Sequence, residues 1–246
     1  MLDNIYLWLN IGTLAFPLLL SFDRKVAFFR RWYALLPAIA FSGGIFLIWD
    51  VWFTEMGIWS FNPDYLTGIY LINLPLEEWL FFLTVPYACV FIYDCLNAYL
   101  QNKFLLPQAP MFTLILGGII LAIGLMNLDL WYTSITFISM GVILIAASRL
   151  ANETQLGKFF RAYLVHLIPF FTVNGVLTAL PVVIYNNTEN LGIRLGTVPT
   201  EDPIYSMLLL FLTIWAYEFI QSKFPIKRAL PNVSNINLPS TYDSNK

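Results

Sequence analysis

Two acid pairs are the residues of this chain best suited to chemistry. Glu77 and Glu78 follow Pro75 in GIYLINLPLEEWLFFLTVPYACVFIYD, residues 68–94. Glu201 and Asp202 follow Pro199 in GIRLGTVPTEDPIYSMLLLFLTIWAYE, residues 192–218. A shift of 124 positions lays Gly68 on Gly192, Pro75 on Pro199, Glu77 on Glu201 and Glu78 on Asp202. It also lays Tyr93 on Tyr217 and Asp94 on Glu218. Each pair stands where a long apolar run begins. A carboxylate beside hydrocarbon must be paired, hydrated or protonated. Two such pairs in matching register point to a Brønsted acid facing an apolar interior. Helix capping is the simpler alternative, because acids in a first turn complement the helix dipole. Within each pair Glu77 and Glu201 are the preferred acids, being identical in both stretches, with Glu78 and Asp202 as modulating neighbours.

Other residues are candidates to support the acids. Asp50, near the end of the second apolar run, is placed to share a cavity with Glu77 and Glu78. Arg194 precedes Asp202 in the loop and stands where the first stretch has Tyr70. It either holds one carboxylate ionised or forms a loop salt bridge of little net value. Tyr70, Trp79, Phe81 and Phe82, with Trp49, Trp52, Phe53, Trp59 and Phe61, crowd the same end. They form either an interfacial aromatic belt or a π-lined pocket for a developing cation. Asn62, Asn73, Asn174, Asn186 and Asn187 are candidates to orient the acids by hydrogen bonds. Asp94 and Glu218 lie about 24 Å further along their helices. They are expected at the opposite interface near Lys103 or Lys223. His166, the single histidine, is expected at that interface too, without a catalytic part.

The elements that must hold these residues are membrane helices. The 246 residues are 59% hydrophobic and 11% charged, with mean hydropathy +0.70. Soluble domains are about 45–50% apolar and about 25% charged. Seven apolar stretches approach the length of a span: Ile5–Leu20, Tyr33–Trp52, Trp79–Leu100, Met111–Met126, Trp131–Leu150, Tyr163–Tyr185 and Ile204–Ser222. They do not alternate, which excludes an outer-membrane barrel. With seven spans, twelve of the thirteen Lys and Arg fall on one side, and Arg194 is the exception. The positive-inside rule makes that side cytoplasmic, with the N-terminus outside and the C-terminus inside.

The expected architecture is therefore all-α: two parallel three-helix repeats joined by a linking helix. The first repeat covers 1–105, the linking helix 106–128, the second repeat 129–224 and a disordered cytoplasmic tail 225–246. MLDNIYLWLN lacks the basic start of a cleavable signal, so the first stretch is read as a retained span. A net charge of −2 speaks against a nucleic-acid partner. Cys89 and Cys95, the two cysteines, read as small apolar fillers. No dinucleotide, phosphate-loop or zinc-hydrolase fingerprint is present, so no cofactor and no metal are expected.

PLEEWLFF, its partner VPTED and the three-plus-one-plus-three layout resemble the lycopene cyclase family of small membrane proteins. In that family two related subunits or fused halves each carry a Pro-x-Glu-(Glu/Asp) motif. It maps here onto Pro75, Glu77 and Glu78, and onto Pro199, Glu201 and Asp202. The second copy departs from the first in having Pro203-Ile204-Tyr205-Ser206 in place of Trp79-Leu80-Phe81-Phe82. The resemblance implies a cofactor-free, non-redox cyclisation of lycopene or another acyclic carotenoid dissolved among membrane lipids. β-ionone-type rings are the expected product, and other carotenoid enzymes are conceivable partners. Rival readings are a related cyclase with another product, a proton-coupled transporter and a seven-helix light receptor. Residues 204–222 contain no lysine for the receptor's Schiff base.

Overall fold

Long apolar runs bounded by proline, glycine and polar residues leave the backbone one way to satisfy itself in lipid, which is the helix. A computed structural model describes residues 4–225. Seven helices follow one another: α1 (Ile5–Leu20), α2 (Trp32–Glu55), α3 (Leu76–Leu100), α4 (Ala109–Met126), α5 (Trp131–Leu150), α6 (Glu153–Ala179) and α7 (Glu201–Lys223). Six are long and apolar enough to cross a membrane, and α1 is the shorter apolar one. At about 1.5 Å per residue α1 reaches about 24 Å, a little less than the hydrocarbon core. All of the expected tail except Pro225 lies outside the described residues.

Two boundaries correct the sequence reading. α6 begins at Glu153, well before Tyr163. A capping box starts it there: the Asn152 side chain accepts from Gln155 N at 2.9 Å, and Gln155 Oε1 accepts from Asn152 N at 3.2 Å. α6 ends at Ala179, and the chain continues into a strand. Short strands were not expected at all. β1 (Trp59–Phe61) pairs antiparallel with β4 (Val183–Tyr185), setting Trp59 opposite Tyr185 and Phe61 opposite Val183. β2 (Tyr70–Leu71) pairs with β3 (Leu74–Pro75), and β5 (Arg194–Leu195) with β6 (Val198–Pro199).

The approaches to α3 and α7 match position by position at the shift of 124. Gly68 and Gly192 both take positive φ, +79° and +68°. Tyr70 faces Pro75 in one hairpin, and Arg194 faces Pro199 in the other. Leu76 N donates to Ile69 O, and Thr200 N to Ile193 O. At the hairpin turn Ile72 holds φ +61° where the second copy has Gly196 at +67°.

The helices pack crosswise. α1 lies on α3 and α5 on α7, while α2 packs on α7 and α3 on α6. α4 lies along α5 with close backbone approach. A Cβ on Gly141 would stand 2.7 Å from Leu121, and one on Gly124 would stand 2.9 Å from Ile138. Small residues at such a seam let membrane helices approach closely.

The end away from the acid pairs is tied by crossed bonds. Tyr93 OH donates to Glu218, and Tyr217 OH donates to Asp94. Arg31 Nη1 lies 2.6 Å from Asp94 Oδ2. Asp94, itself buried, therefore pairs with the half-buried Arg31 rather than with Lys103 and also accepts from Tyr217 of α7. Midway along the bundle Ser42 bonds Thr213 at 2.7 Å, and Cys89 Sγ lies 3.1 Å from His166 Nδ1. The early start of α6 carries His166 into the bundle, where it is buried.

Candidate active site

The turn before each acid-bearing helix decides what its first acid does. Glu77 is fully buried, and its Oε1 accepts from Thr67 N at 2.7 Å. Glu201 is equally buried, and its Oε1 accepts from Leu191 N at 2.8 Å and from Thr133 Oγ1 at 2.7 Å. Thr67 and Leu191 are themselves 124 positions apart. These carboxyls fasten the incoming loop to the helix start, much as a capping side chain does. One residue on, the helix has turned about 100°. Glu78 and Asp202 therefore face the bundle interior.

Both enter one chamber. It is a narrow cavity of about 70 Å³, lined among others by Tyr6, Asp50, Glu78, Tyr132, Asn174 and Asp202. Aromatic rings of Trp59, Phe61, Phe81, Tyr185 and Tyr205 complete its wall. The β1–β4 ribbon supplies Trp59, Phe61 and Tyr185, so the pairing of these strands joins the two acid regions over a common space.

The chamber's two acidic corners differ. At the first, Tyr6 OH donates to Glu78, and Asp50 lies carboxyl to carboxyl with Glu78. Trp59 Nε1 donates to Asp50 Oδ1 at 2.6 Å, while Asp50 Oδ2 has no donor among the described residues. At the second, Asp202 accepts three bonds: from Tyr132 OH at 2.6 Å, Asn174 Nδ2 at 2.6 Å and Tyr185 OH at 2.9 Å. Burial, then the Asp202 carboxyl, holds the Tyr185 phenol well above its ordinary range, which keeps it a donor. The corners are counterparts residue by residue. Asn174 stands 124 positions after Asp50, and Tyr132 stands 126 after Tyr6. An acid faces the acid at one corner and an amide faces it at the other.

The remaining candidates are spread around this chamber. Asp50 and Phe81 line it. Phe82 is buried beside it, with its ring 5.5 Å from Phe81 and 6.1 Å from Phe46. Pro75 and Pro199 are buried at the ends of β3 and β6. Asn73 Nδ2 donates to Val51 O at 2.9 Å, tying the hairpin to α2. Trp79 reaches back to Leu71 O at 3.4 Å, and Tyr70 is exposed. Arg194 is placed on neither acid pair: it donates to Thr197 O at 2.9 Å and to Asn187 Oδ1 at 2.8 Å. Its short hairpin points the guanidinium back over its own loop, so the expected partnership with a carboxylate does not form. Of the five asparagines named from sequence, Asn174 alone bonds a chamber acid. Among the described residues no three of His, Cys, Asp and Glu converge as metal ligands.

Tyr6, Tyr132, Tyr185 and Tyr205 were not singled out from sequence. The signal for the first two is a tyrosine early in the first and fifth apolar runs. It is hidden because their spacing is 126 rather than 124. A family model described as lycopene cyclase matches residues 3–96 and 129–220. The chain belongs to the lycopene cyclase family. The two matched segments contain every acid, tyrosine and asparagine of the chamber and leave out α4. No curated protein and no solved structure gives a significant match. The buried acids of this family member lie in a bundle with six helices long and apolar enough to cross a membrane.

Proposed function

We propose that the protein is a lycopene β-cyclase, an isomerase that closes the ends of lycopene by acid–base chemistry in this chamber. One observation carries the reading: three carboxyls, Asp50, Glu78 and Asp202, meet in a single narrow aromatic-lined cavity inside an apolar bundle. Two carboxyls side by side in such a place repel unless a proton lies between them. Asp50 and Glu78 then act as the proton store, and Glu78 donates to the terminal double bond. The tertiary cation that results is attacked by the next double bond along the chain, which closes a six-membered ring and leaves the positive charge on a ring carbon. The faces of Trp59, Tyr205 and Phe81 stabilise the cation. Asp202, held by three hydrogen-bond donors, keeps the carboxylate form and removes a proton. Loss of the proton next to the polyene extends conjugation and yields the β-ring. One proton enters and one leaves, so the reaction is an isomerisation. Exclusion of water keeps the cation from being trapped as an alcohol.

The same reading sets the architecture. α1–α3 and α5–α7 are two parallel halves related by a pseudo-two-fold axis through the centre of the β1–β4 ribbon, with α4 as the linking helix. Matching turns and crossed tyrosine–acid bonds support this. The basic residues support a cell-membrane protein whose chamber lies toward the outer face. Expression in a lycopene-accumulating host, followed by chromatography of the pigments, tests the function. β-Carotene is the expected product. Lycopene left unchanged beside confirmed membrane expression refutes the reading, and a different ring refutes its β-specific part.

A further inference from the structure

A second, larger cavity adjoins the chamber. It is an apolar groove of about 470 Å³ between α1, α3 and α6. Phe81, Val85, Phe170 and Asn174 line both spaces, so one opens into the other. The chamber itself holds about 70 Å³, room for the tip of a chain. The body of any long apolar substrate whose end reaches Glu78 must therefore lie in the groove. Its rim is built from large side chains, with Trp8 63% and Phe16 74% exposed. Small residues line it within: Gly12, whose added Cβ would meet nothing within 4 Å, Ala88 and Val173.

The same seam in the other half is filled. The counterpart of Val173, 124 positions earlier, is Trp49. Its indole packs 5.3 Å from the Tyr205 ring and 5.5 Å from the Phe46 ring, and Tyr205 forms part of the chamber wall. Ala88 corresponds to Leu212 at the shift of 124. Gly12 corresponds to Ile138 at the shift of 126 that aligns Tyr6 with Tyr132. Ile138 in turn packs against Gly124 of α4. α4, which has no counterpart in the first half, thus lies over this face.

We infer that the chamber has one door, the α1–α3–α6 groove, and that the two ends of a carotenoid are cyclised in separate visits. This rests on the cyclase reading and adds an order of events to it. With one chamber and one entrance, a chain that has closed its first ring must leave, turn and re-enter by its open end. The one-ring carotene is then a released intermediate.

The test uses the full-length protein in lipid vesicles with isotope-labelled lycopene. Unlabelled one-ring carotene is added once the reaction has begun. Dilution of label in the two-ring product is expected. Two-ring product formed at full label from the first turnovers overturns the inference. Val173→Trp should block the groove and cost roughly a hundred-fold in formation of both rings, the scale at which reacting groups are misplaced. Gly12→Phe, which projects into open space, provides a second block if Val173→Trp does not fold. Normal rates in a folded blocking variant overturn the single door. Wild-type protein that forms no ring at all refutes the cyclase reading itself, and the door with it.

Discussion

Glu77 and Glu78 are adjacent, carry the same side chain and are both buried, yet the structure gives them different partners. Glu77 receives the Thr67 backbone N–H and fastens a loop. Glu78 meets Tyr6 and Asp50 inside the chamber. The same division separates Glu201 from Asp202. Identity between the two stretches favours Glu77 and Glu201 as the acids; in the structure each also accepts a backbone N–H from the incoming loop. The residues that differ between the copies, Glu78 against Asp202 and Asp50 against Asn174, occupy the two corners of the chamber. A one-residue step on a helix rotates a side chain by about 100°, and sequence spacing cannot say which of two neighbours faces inward. Glu78→Gln is expected to lower cyclisation by about 10²–10⁴, the usual worth of a general acid. Glu77→Gln keeps an oxygen for Thr67 N–H and should retain activity within about ten-fold of normal, well above that loss. Pigment analysis at matched protein levels measures both. An equal loss in the two variants would remove the distinction between loop fastening and proton donation.

At the scale of elements, the seven apolar runs were legible because hydropathy over about 20 residues is a strong signal. Ile5–Leu20 and Trp131–Leu150 appear with the expected limits. The start of α6 was missed because its first turns carry Lys158 and Arg161, which read as loop. Arg161 is accommodated by Asn97 Oδ1 at 2.7 Å and the Lys103 carbonyl at 2.7 Å. The ribbons were missed because strands of two or three residues have no periodicity to read. β1 and β4 find each other only through the fold, across more than 120 positions. The α4–α5 seam supplies a prediction at this scale. Gly141→Val would drive a side chain into Leu121, whose backbone N stands 2.7 Å from the added Cβ. Overpacking of this kind costs about 1–3 kcal/mol, readable as a lower melting temperature in detergent. Gly118→Val, at a glycine whose Cβ would meet nothing within 4 Å, should shift stability by no more than about 0.5 kcal/mol. Equal melting of the two variants would show that α4 is not seated on α5 in this way.

For the whole molecule, the two ends of the bundle carry different chemistry, and the proposed orientation rests on that difference. Arg31, Lys103 and Arg161 gather at the end of the crossed tyrosine–acid bonds. The chamber end has Arg194 as its single Lys or Arg among the described residues. Translocating basic residues across the membrane is disfavoured, so the proposed orientation keeps the end rich in them in the cytoplasm. With seven crossings this proposal puts the two termini on opposite sides, and the loops at Asp129 and Thr188 on the outer side with the chamber. Asp129 and Lys103 are both exposed and lie at opposite ends of α4. In a background where Cys89 and Cys95 are replaced by alanine, Asp129→Cys should react with a membrane-impermeant maleimide on intact cells. Lys103→Cys should react only after the cells are opened. The reverse pattern would invert the orientation while leaving the fold intact. Labelling of both positions on intact cells would mean that α4 does not cross. The two halves would then face opposite ways, and the matching of Glu78 with Asp202 in one chamber would lose its basis.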